Sequence, residues 1–385
     1  MRILHTADWH VGRRLGRHDR MPEHRAVLHE VAAIADAERV DLVLVSGDVF
    51  DRPVPPVDAL SLGLGALQRL AADRPVVVVA GNHDAPELFE ALAPLLRDRR
   101  VHLIGAIRPP DEGGVLGPEE LGVPAVVAGF PFLREGRVVD FMAETGRWYG
   151  QYAEKVAAIT AAYNTALVAR AGTDLVPILV AHFMVNGVHV ARSERELHIG
   201  DAYTATAQAI PAGPQYVALG HIHAPQPVPG APVPAAYAGS LLGLDFGEAG
   251  EAKRVVIVDA EPGRLATVRS VPITSGRQLV RAHGTWDELA ARADDLGEAF
   301  VDLTVAVGGP DPELGRRAAE TFPYLVRVRA ERPAQERRVR RDPADRPDDV
   351  ELYGEFVRAT SGEAAPEALL ALLRDVLEEA ADAPA

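Results

Sequence analysis

The chain contains no cysteine, which excludes disulfide bonds and thiolate metal ligands. It also lacks any apolar run of the roughly 18 residues that a membrane-spanning helix needs. Its opening, MRILHTADWH, lacks the basic and then apolar segments of a secretory signal. These absences predict a cytoplasmic protein that does not enter a membrane.

Lysine and net positive charge are scarce as well. Of the 40 basic residues only Lys155 and Lys253 are lysines, and arginine takes the place of lysine along the whole chain, which indicates a compositional bias of the genome. The formal net charge of −15 argues against binding nucleic acid by general basicity. A phosphate substrate would need local partners, such as metal ions, a few placed arginines or a second protein.

What is present is typical of a soluble globular protein, with 48% hydrophobic and 25% charged residues. A chain of 385 residues is too long for one compact core of ordinary size, so we expect two or three folding units.

The first half of the chain alternates short β-branched segments with helical patterns, which predicts a layered α/β architecture. The predicted strands are 2–6, 42–46, 76–80, 126–129, 178–181, 217–219, 237–239 and 255–259. The predicted helices are 23–39, 58–72, 86–97 and 149–171. Pro94 should kink or end the third helix.

The pattern changes near residue 272. Residues 277–330 predict a small α/β unit, with strands at 278–282, 300–307 and 325–330 and helices at 286–296 and 312–322. A polar stretch rich in arginine and proline, 332–347, predicts a linker. Two amphipathic helices, 349–360 and 365–381, follow it.

Five short clusters of metal-capable residues each follow a predicted strand. They are Asp8-Trp9-His10, Gly47-Asp48-Val49-Phe50-Asp51, Gly81-Asn82-His83-Asp84, Ala181-His182 and Gly220-His221-Ile222-His223. Ligands of open α/β sheets bind off the carboxyl ends of the strands, so these clusters can converge in space. Carboxylate and amide oxygens with imidazole nitrogens suit Mn, Fe, Zn or Mg.

Each cluster alone has an ordinary structural explanation. A D-x-H sequence is usually a turn or surface segment, and GDxxD also fits a turn with a helix cap. GNHD is more specific, because Asn beside His after a buried strand has no good packing role. GHIH places two histidines on one face of an extended segment. All five clusters in this order favour a metal site.

The order D-x-H, GDxxD, GNHD, H and GHxH resembles that of the calcineurin-like metallophosphoesterases. More narrowly, MRILHTADWHVGRRLG, SGDVFDRPVPP, ALGHIHAPQ and YAGSLLGLDFGE are similar to segments of the SbcD family, bacterial nuclease subunits paired with the SMC-like ATPase SbcC. The resemblance covers essentially the whole chain, most closely up to about residue 260. Ala181 departs from it, since the family usually has glycine there.

The resemblance implies an α/β fold in which a two-sheet sandwich flanked by helices carries the metal site on one edge. It implies a nuclease domain at 1–270, a small α/β capping domain at 276–331, a linker at 332–347 and a helical tail at 348–385 that docks on the ATPase. A homodimer through 58–72 and 86–97 is also implied, with apolar stripes of Leu60, Leu64 and Leu67 and of Leu88, Leu92 and Leu95.

The site implied by the resemblance holds two divalent metal ions, most simply Mn²⁺, bridged by the carboxylate of Asp48. One ion would take Asp8, His10 and His223, and the other Asn82, His182 and His221. His83 would be the catalytic histidine outside the metals, with Asp51 as its orienting partner in the manner of a triad carboxylate. Asp84 would support the site without binding metal.

The implied reaction is phosphodiester hydrolysis by a metal-activated water: exonuclease action on double-stranded DNA ends and endonuclease action on single strands or hairpins. Arg13, Arg14 and Arg17, just after the first cluster, are candidate phosphate contacts. Further candidates are Arg192, Arg195 and the run 337–341, for which a solvated surface is the alternative.

Two other functions stay open. A small-molecule phosphodiesterase or phosphatase of the same superfamily would share all five clusters. A scaffold protein without catalysis would keep the fold, although every expected ligand position here holds a competent residue.

Overall fold

The computed structural model describes residues 1–134, 152–189, 204–331, 348–361 and 364–381. The chain divides into two compact units, one of residues 1–306 and 310–331 and the other of residues 307–309 and 332–385. Among the described helices, none has the length and apolar character needed to span a bilayer.

Seventeen described strands are numbered in chain order. They are β1 (Arg2–Thr6), β2 (Leu42–Val45), β3 (Val76–Val79), β4 (Val101–Ile104), β5 (Val115–Leu116), β6 (Ala125–Phe130), β7 (Val176–His182), β8 (Met184–Val185), β9 (Thr204–Ala205), β10 (Tyr216–Gly220), β11 (Gln226–Pro227), β12 (Ala235–Tyr237), β13 (Arg254–Asp259), β14 (Thr267–Pro272), β15 (Leu279–Thr285), β16 (Phe300–Ala306) and β17 (Leu325–Glu331).

The described α-helices are numbered in the same way. They are α1 (Met21–Ala37), α2 (Val57–Leu70), α3 (Pro86–Arg97), α4 (Pro118–Leu121), α5 (Tyr152–Ala171), α6 (Trp286–Ala290), α7 (Ala293–Leu296), α8 (Leu314–Thr321), α9 (Asp349–Ser361) and α10 (Glu367–Ala381). Short 3-10 helices cover Pro110–Glu112, Ala207–Ala209 and Phe246–Glu248.

Two six-stranded sheets form the body of the first unit. One has the order β14-β13-β1-β2-β3-β4, with β1 to β4 parallel, and the other has the order β11-β12-β10-β7-β6-β5, with β6, β7, β10 and β12 parallel. The sequence prediction of a two-sheet α/β sandwich flanked by helices is confirmed.

Strand side chains alternate between the sandwich interior and the helical layers. Leu42 and Leu44 of β2 and Val180 of β7 lie in the core between the sheets. Val43, their neighbour in β2, packs instead in the core shared with α1, α2 and α3, and Leu179 packs in the core shared with α5. Because both faces are buried, these strands are apolar without interruption.

Several predicted boundaries were wrong. The predicted strand 237–239 ends at Tyr237, because Gly239 has a φ of 78°. The predicted helix 286–296 is divided into α6 and α7. The division lies where the amide of Arg292 donates to the carbonyl oxygen of Leu289 at 3.0 Å. Pro94 does not end α3, which continues to Arg97 with Pro94 on its exposed side. Of the predicted helix 149–171, residues 149–151 lie outside the described residues.

The small unit predicted at 277–330 is a three-stranded parallel sheet, β15-β16-β17, with α6, α7 and α8. Its Phe300 and Leu279 form a core cluster with Leu15 and Phe246 of the preceding chain. His18 Nε2 also lies 2.8 Å from the carbonyl oxygen of Leu325. The small sheet is therefore packed on the loop that follows β1.

The second unit contains α9 and α10, which correspond to the two helices predicted at 349–360 and 365–381, and the predicted linker lies outside the described residues. Large apolar side chains of these helices are exposed, among them Phe356 at 61%, Leu372 at 59% and Val376 at 52%. The two helices thus carry an apolar surface of their own.

Candidate metal centre

The five clusters lie together at one edge of the sandwich. Parallel pairing aligns the carboxyl ends of β1, β2 and β3 in one sheet and of β7 and β10 in the other. Two contacts join the sheets there: the amide of His221 donates to Asp8 Oδ1 at 3.0 Å, and His182 Nδ1 donates to the carbonyl oxygen of Ser46 at 2.7 Å. Ligand-type side chains distant in sequence therefore converge.

The backbone of these clusters is strained. Asp8, His10, Asp48 and His221 have positive φ angles of 50°, 45°, 52° and 99°. L-residues avoid this region, and such strain is found mostly at functional sites. Gly81 is required for a different reason, because a Cβ there would collide with the carboxylate of Asp48.

Asp48 lies between two sets of ligand-type atoms. Its Oδ2 is 3.6 Å from His10 Nε2 and 3.5 Å from His182 Nε2, and all three side chains are buried. Three groups each bring their ligand atoms within 4.8 Å of one another: Asp8, His10 and His223; His10, Asp48 and His83; Asp8, Asp48 and His182.

Asn82 joins the second set. Its Oδ1 is 2.9 Å from His182 Nε2 and 2.8 Å from His221 Nδ1, and those two nitrogens are 3.3 Å apart. Phe132 stacks on the ring of His221 with centroids 5.8 Å apart. One amide oxygen and two imidazole nitrogens therefore meet at one point beside an aromatic wall.

The donor set fits a divalent cation. Both ring nitrogens of His10 are buried without a hydrogen-bond partner among the described residues, a costly arrangement unless a ligand binds there. Burial lowers the pKa of His10, helped by the nearby His223, and it also lowers the pKa of His182. Neutral imidazoles are the form that binds metal. Buried carboxylates and neutral imidazoles make this a divalent metal site.

His83 stands beside this centre, half-buried. Its amide donates to Asp48 Oδ1 at 2.8 Å, and its ring lies 4.7 Å from that of His10. The sequence prediction was that the side-chain carboxylate of Asp51 orients His83. The structure corrects this, because His83 Nδ1 lies 2.8 Å from the main-chain oxygen of Asp51. The carboxylate instead accepts from Arg13 Nη1 at 3.2 Å.

Asp84 ties two of the loops together. Its buried carboxylate accepts from the amides of Gly81 at 2.9 Å, Val49 at 3.2 Å and Phe50 at 3.0 Å. Burial, with the charge of Asp48 nearby, raises the pKa of Asp84 to about 7. Asp84 thus connects the GDxxD and GNHD loops.

The candidate phosphate-binding arginines differ in their surroundings. Arg13 is partly exposed and held by Asp51, whereas Arg14 and Arg17 are exposed and joined by a 2.7 Å hydrogen bond from Arg14 Nη2 to the main-chain oxygen of Arg17. Arg192, Arg195 and the run 337–341 lie outside the described residues.

Sequence reasoning missed three residues of this centre. Arg134 donates to the main-chain oxygens of Asn82, at 3.2 Å, and Asp84, at 2.5 Å. Phe132 and Arg134 belong to the segment PFLR, which directly follows the buried strand β6. Its position after a buried strand, like that of the five clusters, was the sequence signal that could have identified these two residues. Glu248 is buried against His223: burial raises its pKa, but the hydrogen bond from His223 and the charge of Lys253 bring it down to about 2.

Comparison with known proteins agrees with this geometry. Residues 1–225 match the family model of the calcineurin-like phosphoesterases. SbcD of the SbcCD nuclease from Bacillus subtilis (strain 168) is 36% identical over 349 residues, which cover 86% of this chain and 85% of the relative. SbcD from Rhodobacter capsulatus is 34% identical over 359 residues, which cover 87% of this chain and 82% of the relative. SbcD from Escherichia coli (strain K12) is 32% identical over 291 residues, which cover 73% of this chain and 71% of the relative. The chain therefore belongs to the calcineurin-like phosphoesterases and, among them, to the SbcD family of SbcCD nucleases.

Proposed function

We propose that the protein is a DNA nuclease that hydrolyses phosphodiesters with two divalent metal ions. It would degrade double-stranded ends as an exonuclease and cut single strands or hairpins as an endonuclease, in DNA repair and recombination. The observation that carries the proposal is the position of Asp48, whose Oδ2 lies 3.6 Å from His10 Nε2 and 3.5 Å from His182 Nε2. A carboxylate between two sets of ligands suits a bridging role.

These neighbours support the proposed ligand assignment. Asp8, His10 and His223 would hold one ion, Asn82, His182 and His221 would hold the other, and Asp48 would contact both. Ligands that are all oxygen or imidazole nitrogen suit Mn²⁺, which we propose as the metal. When bound, two such ions lower the pKa of a shared water and neutralise charge on the phosphoryl oxygens.

The chain's own contribution to the reaction is positioning and proton transfer. The carbonyl of Asp51 fixes the proton of His83 on Nδ1, because a carbonyl can only accept. The other ring nitrogen, Nε2, is then the one that takes up a second proton, and the imidazolium so formed donates it to the leaving sugar oxygen. His83 thereby acts on the substrate without being a ligand, as a general acid–base or hydrogen-bonding group.

Phosphate positioning falls to the loop after β1. Arg14 and Arg17 are exposed, and Asp51 holds Arg13 next to His10. These three arginines supply a local positive field in a chain of net charge −15. The small sheet at 276–331, which packs on this loop, acts as the capping domain of the nuclease domain at 1–270.

An SMC-like ATPase is the proposed partner, and the tail at 348–385 is its docking element. Exposed Phe356 and Leu372 provide the apolar surface that a partner groove covers. The linker at 332–347 tethers this tail, and the complex acts in the cytoplasm.

The protein would also form a homodimer through α2 and α3. Leu67 of the predicted stripe is 1% exposed and packs in the core instead, so this part of the prediction was wrong. Val57, at 83%, and Leu95, at 69%, are exposed and offer a shared surface.

One assay tests the proposal against a small-molecule phosphodiesterase or phosphatase of the same family. Purified protein with Mn²⁺, alone and with the ATPase, is given end-labelled duplex DNA and a chromogenic phosphodiester. The nuclease proposal expects DNA degradation, increased by the ATPase. Hydrolysis of the small substrate alone would support the other enzyme, and no hydrolysis at all would support a scaffold protein.

A further inference from the structure

A buried ion pair lies behind the metal centre, on the segment between β12 and β13. Glu248 ends the 3-10 helix Phe246–Glu248, and Lys253 directly precedes β13. The side chain of Glu248 is 0% exposed and that of Lys253 is 9% exposed, with Glu248 Oε2 and Lys253 Nζ 2.6 Å apart. Burying two charges is costly, so a pair retained in this position calls for an explanation beyond stability.

Both members of the pair contact His223. Glu248 Oε1 lies 3.2 Å from His223 Nδ1, and Lys253 Nζ donates to the main-chain oxygen of His223 at 3.2 Å. Side chain and backbone of this histidine are therefore held by one ion pair.

Further hydrogen bonds fix the pair itself. Glu248 Oε2 accepts from the amide of Leu244 at 3.1 Å and from Ser240 Oγ at 3.2 Å, and Lys253 Nζ also contacts Ser240 Oγ at 3.0 Å. A carboxylate held by this many donors has little freedom to rotate, so it presents Oε1 to His223 in one orientation.

Lysine at position 253 is unusual for this chain. The 40 basic residues include only two lysines, so arginine stands almost everywhere else. An ammonium group is compact and directs three donors around one point, whereas a guanidinium is a planar fork. Nζ of Lys253 contacts four acceptors from one position: the main-chain oxygen of His223, Ser240 Oγ, Glu248 Oε2 and Glu251 Oε2. The chemistry of this pocket explains why lysine is kept here.

We propose that Glu248 and Lys253 are positioning residues that orient His223 as a metal ligand. Glu248 holds the Nδ1 proton of His223, which leaves the Nε2 lone pair for the ion shared with Asp8 and His10. Lys253 balances the charge of Glu248 and fixes the backbone of His223. The pair thereby sets the metal affinity of this one position, while the ion held by Asn82, His182 and His221 is unaffected. The inference rests on the proposed assignment of His223 as a ligand.

Glu248→Gln in the full-length protein tests the proposal, because it keeps the shape and removes the charge. Substitution of a group that orients a metal ligand typically costs about 10–100-fold in metal affinity. We expect this loss of affinity for only one of the two Mn²⁺ ions, measured by titration. The electron paramagnetic resonance signal of paired Mn²⁺ should be replaced by the signal of a single ion. Duplex turnover should return when Mn²⁺ is raised. A merely structural role would lower the melting temperature without separating the two ions.

The matched control is Glu251→Gln, since Glu251 contacts Lys253 Nζ at 3.2 Å and reaches His223 only through that lysine. It should bind both ions as the wild type does. If Glu248→Gln does not fold, because Lys253 then keeps only Glu251 as an ionic partner, the double variant Glu248→Gln with Lys253→Met removes both charges of the buried pair. It should fold and show the same selective loss.

A Glu248→Gln protein that binds both ions with wild-type affinity, or loses both equally, would overturn the inference. His223→Ala separates this result from failure of the proposed function. If His223→Ala loses one ion while Glu248→Gln keeps both, the positioning role alone is wrong. If His223→Ala also keeps both, His223 is not a ligand and the proposed metal assignment itself fails.

Discussion

The Nδ1 atom of His83 lies 2.8 Å from the main-chain oxygen of Asp51, whereas the carboxylate of Asp51 contacts Arg13. The histidine is thus oriented by a backbone atom that no side-chain substitution removes. The geometry separates this site from a triad, in which a carboxylate holds the imidazole. Two consequences can be measured.

His83→Leu should remove activity while the protein still binds two metal ions. Loss of a general acid–base group typically costs about 10²–10⁴-fold in turnover. Elemental analysis and DNA cleavage rates check both parts, with exposed His29→Leu as the control. Asp48→Ala should instead lose metal, because it removes the carboxylate between the two sets of ligands. A His83→Leu protein short of one ion would show that His83 is a ligand.

Asp51→Asn should lower the cleavage rate far less than the roughly 10⁴-fold loss seen when a triad aspartate becomes asparagine. The carbonyl that contacts His83 remains, whereas the carboxylate loses its charge beside Arg13 Nη1, at 3.2 Å, and beside His10 Nδ1, at 3.8 Å. The expected change is a raised KM for DNA, since Arg13 loses its anchor. A large decrease in kcat with an unchanged KM would show instead that the carboxylate of Asp51 orients His83, as the sequence predicted.

Leu95→Arg should convert a wild-type dimer into monomers with intact metal binding. Leu95 is 69% exposed, so the substitution does not disturb the core, whereas Leu92 packs partly against it. Light scattering at micromolar concentration gives the mass. Leu265→Arg, at a leucine that is 62% exposed and outside α2 and α3, is the matched control. A wild-type protein that is already monomeric would contradict the proposed surface.

Deletion of residues 348–385 should abolish co-purification with the ATPase and ATP-stimulated duplex degradation, while cleavage of single-stranded DNA persists. Phe356→Ser with Leu372→Ser tests the surface itself, because these side chains are 61% and 59% exposed. Glu355→Ala serves as the polar control on the same helix as Phe356. A truncated protein that still co-purifies in equal amounts would exclude the tail as the docking element.

His5 predicts a pH dependence of stability. Burial lowers its pKa from 6.5 to about 3, while its ring contacts Tyr216 and Ser46. Between pH 6.5 and about pH 3, His5 binds a proton in the unfolded chain but not in the folded protein. The free energy of unfolding therefore decreases as the pH falls through this range, and His5 does not affect it at higher pH. The melting temperature of His5→Gln should therefore fall less steeply than that of the wild type between about pH 7 and about pH 5. Equal slopes would contradict the prediction.

The sequence predicts those parts of the structure whose signal lies in side chains. The five clusters behind buried strands, such as Val76–Val79 before Asn82, were sufficient to place the metal centre. The orientation of His83 was missed because a main-chain oxygen has no sequence signature. Glu248 was missed because its neighbours in the sequence do not reveal that it packs behind His223. Val101–Ile104 was missed because it is only four residues long, is interrupted by His102 and follows closely on α3, which ends at Arg97.

The left-handed backbone at Asp8, His10, Asp48 and His221 has a consequence for protein engineering. Glycine adopts such angles freely, while other residues carry a strain on the order of 1–3 kcal/mol each. A glycine at Asp48 would relieve this strain, but it would also remove the carboxylate that accepts from the amide of His83 at 2.8 Å and lies between the two sets of ligands. Heat resistance therefore does not report on the function of these positions, and any screen for it needs a cleavage assay beside it.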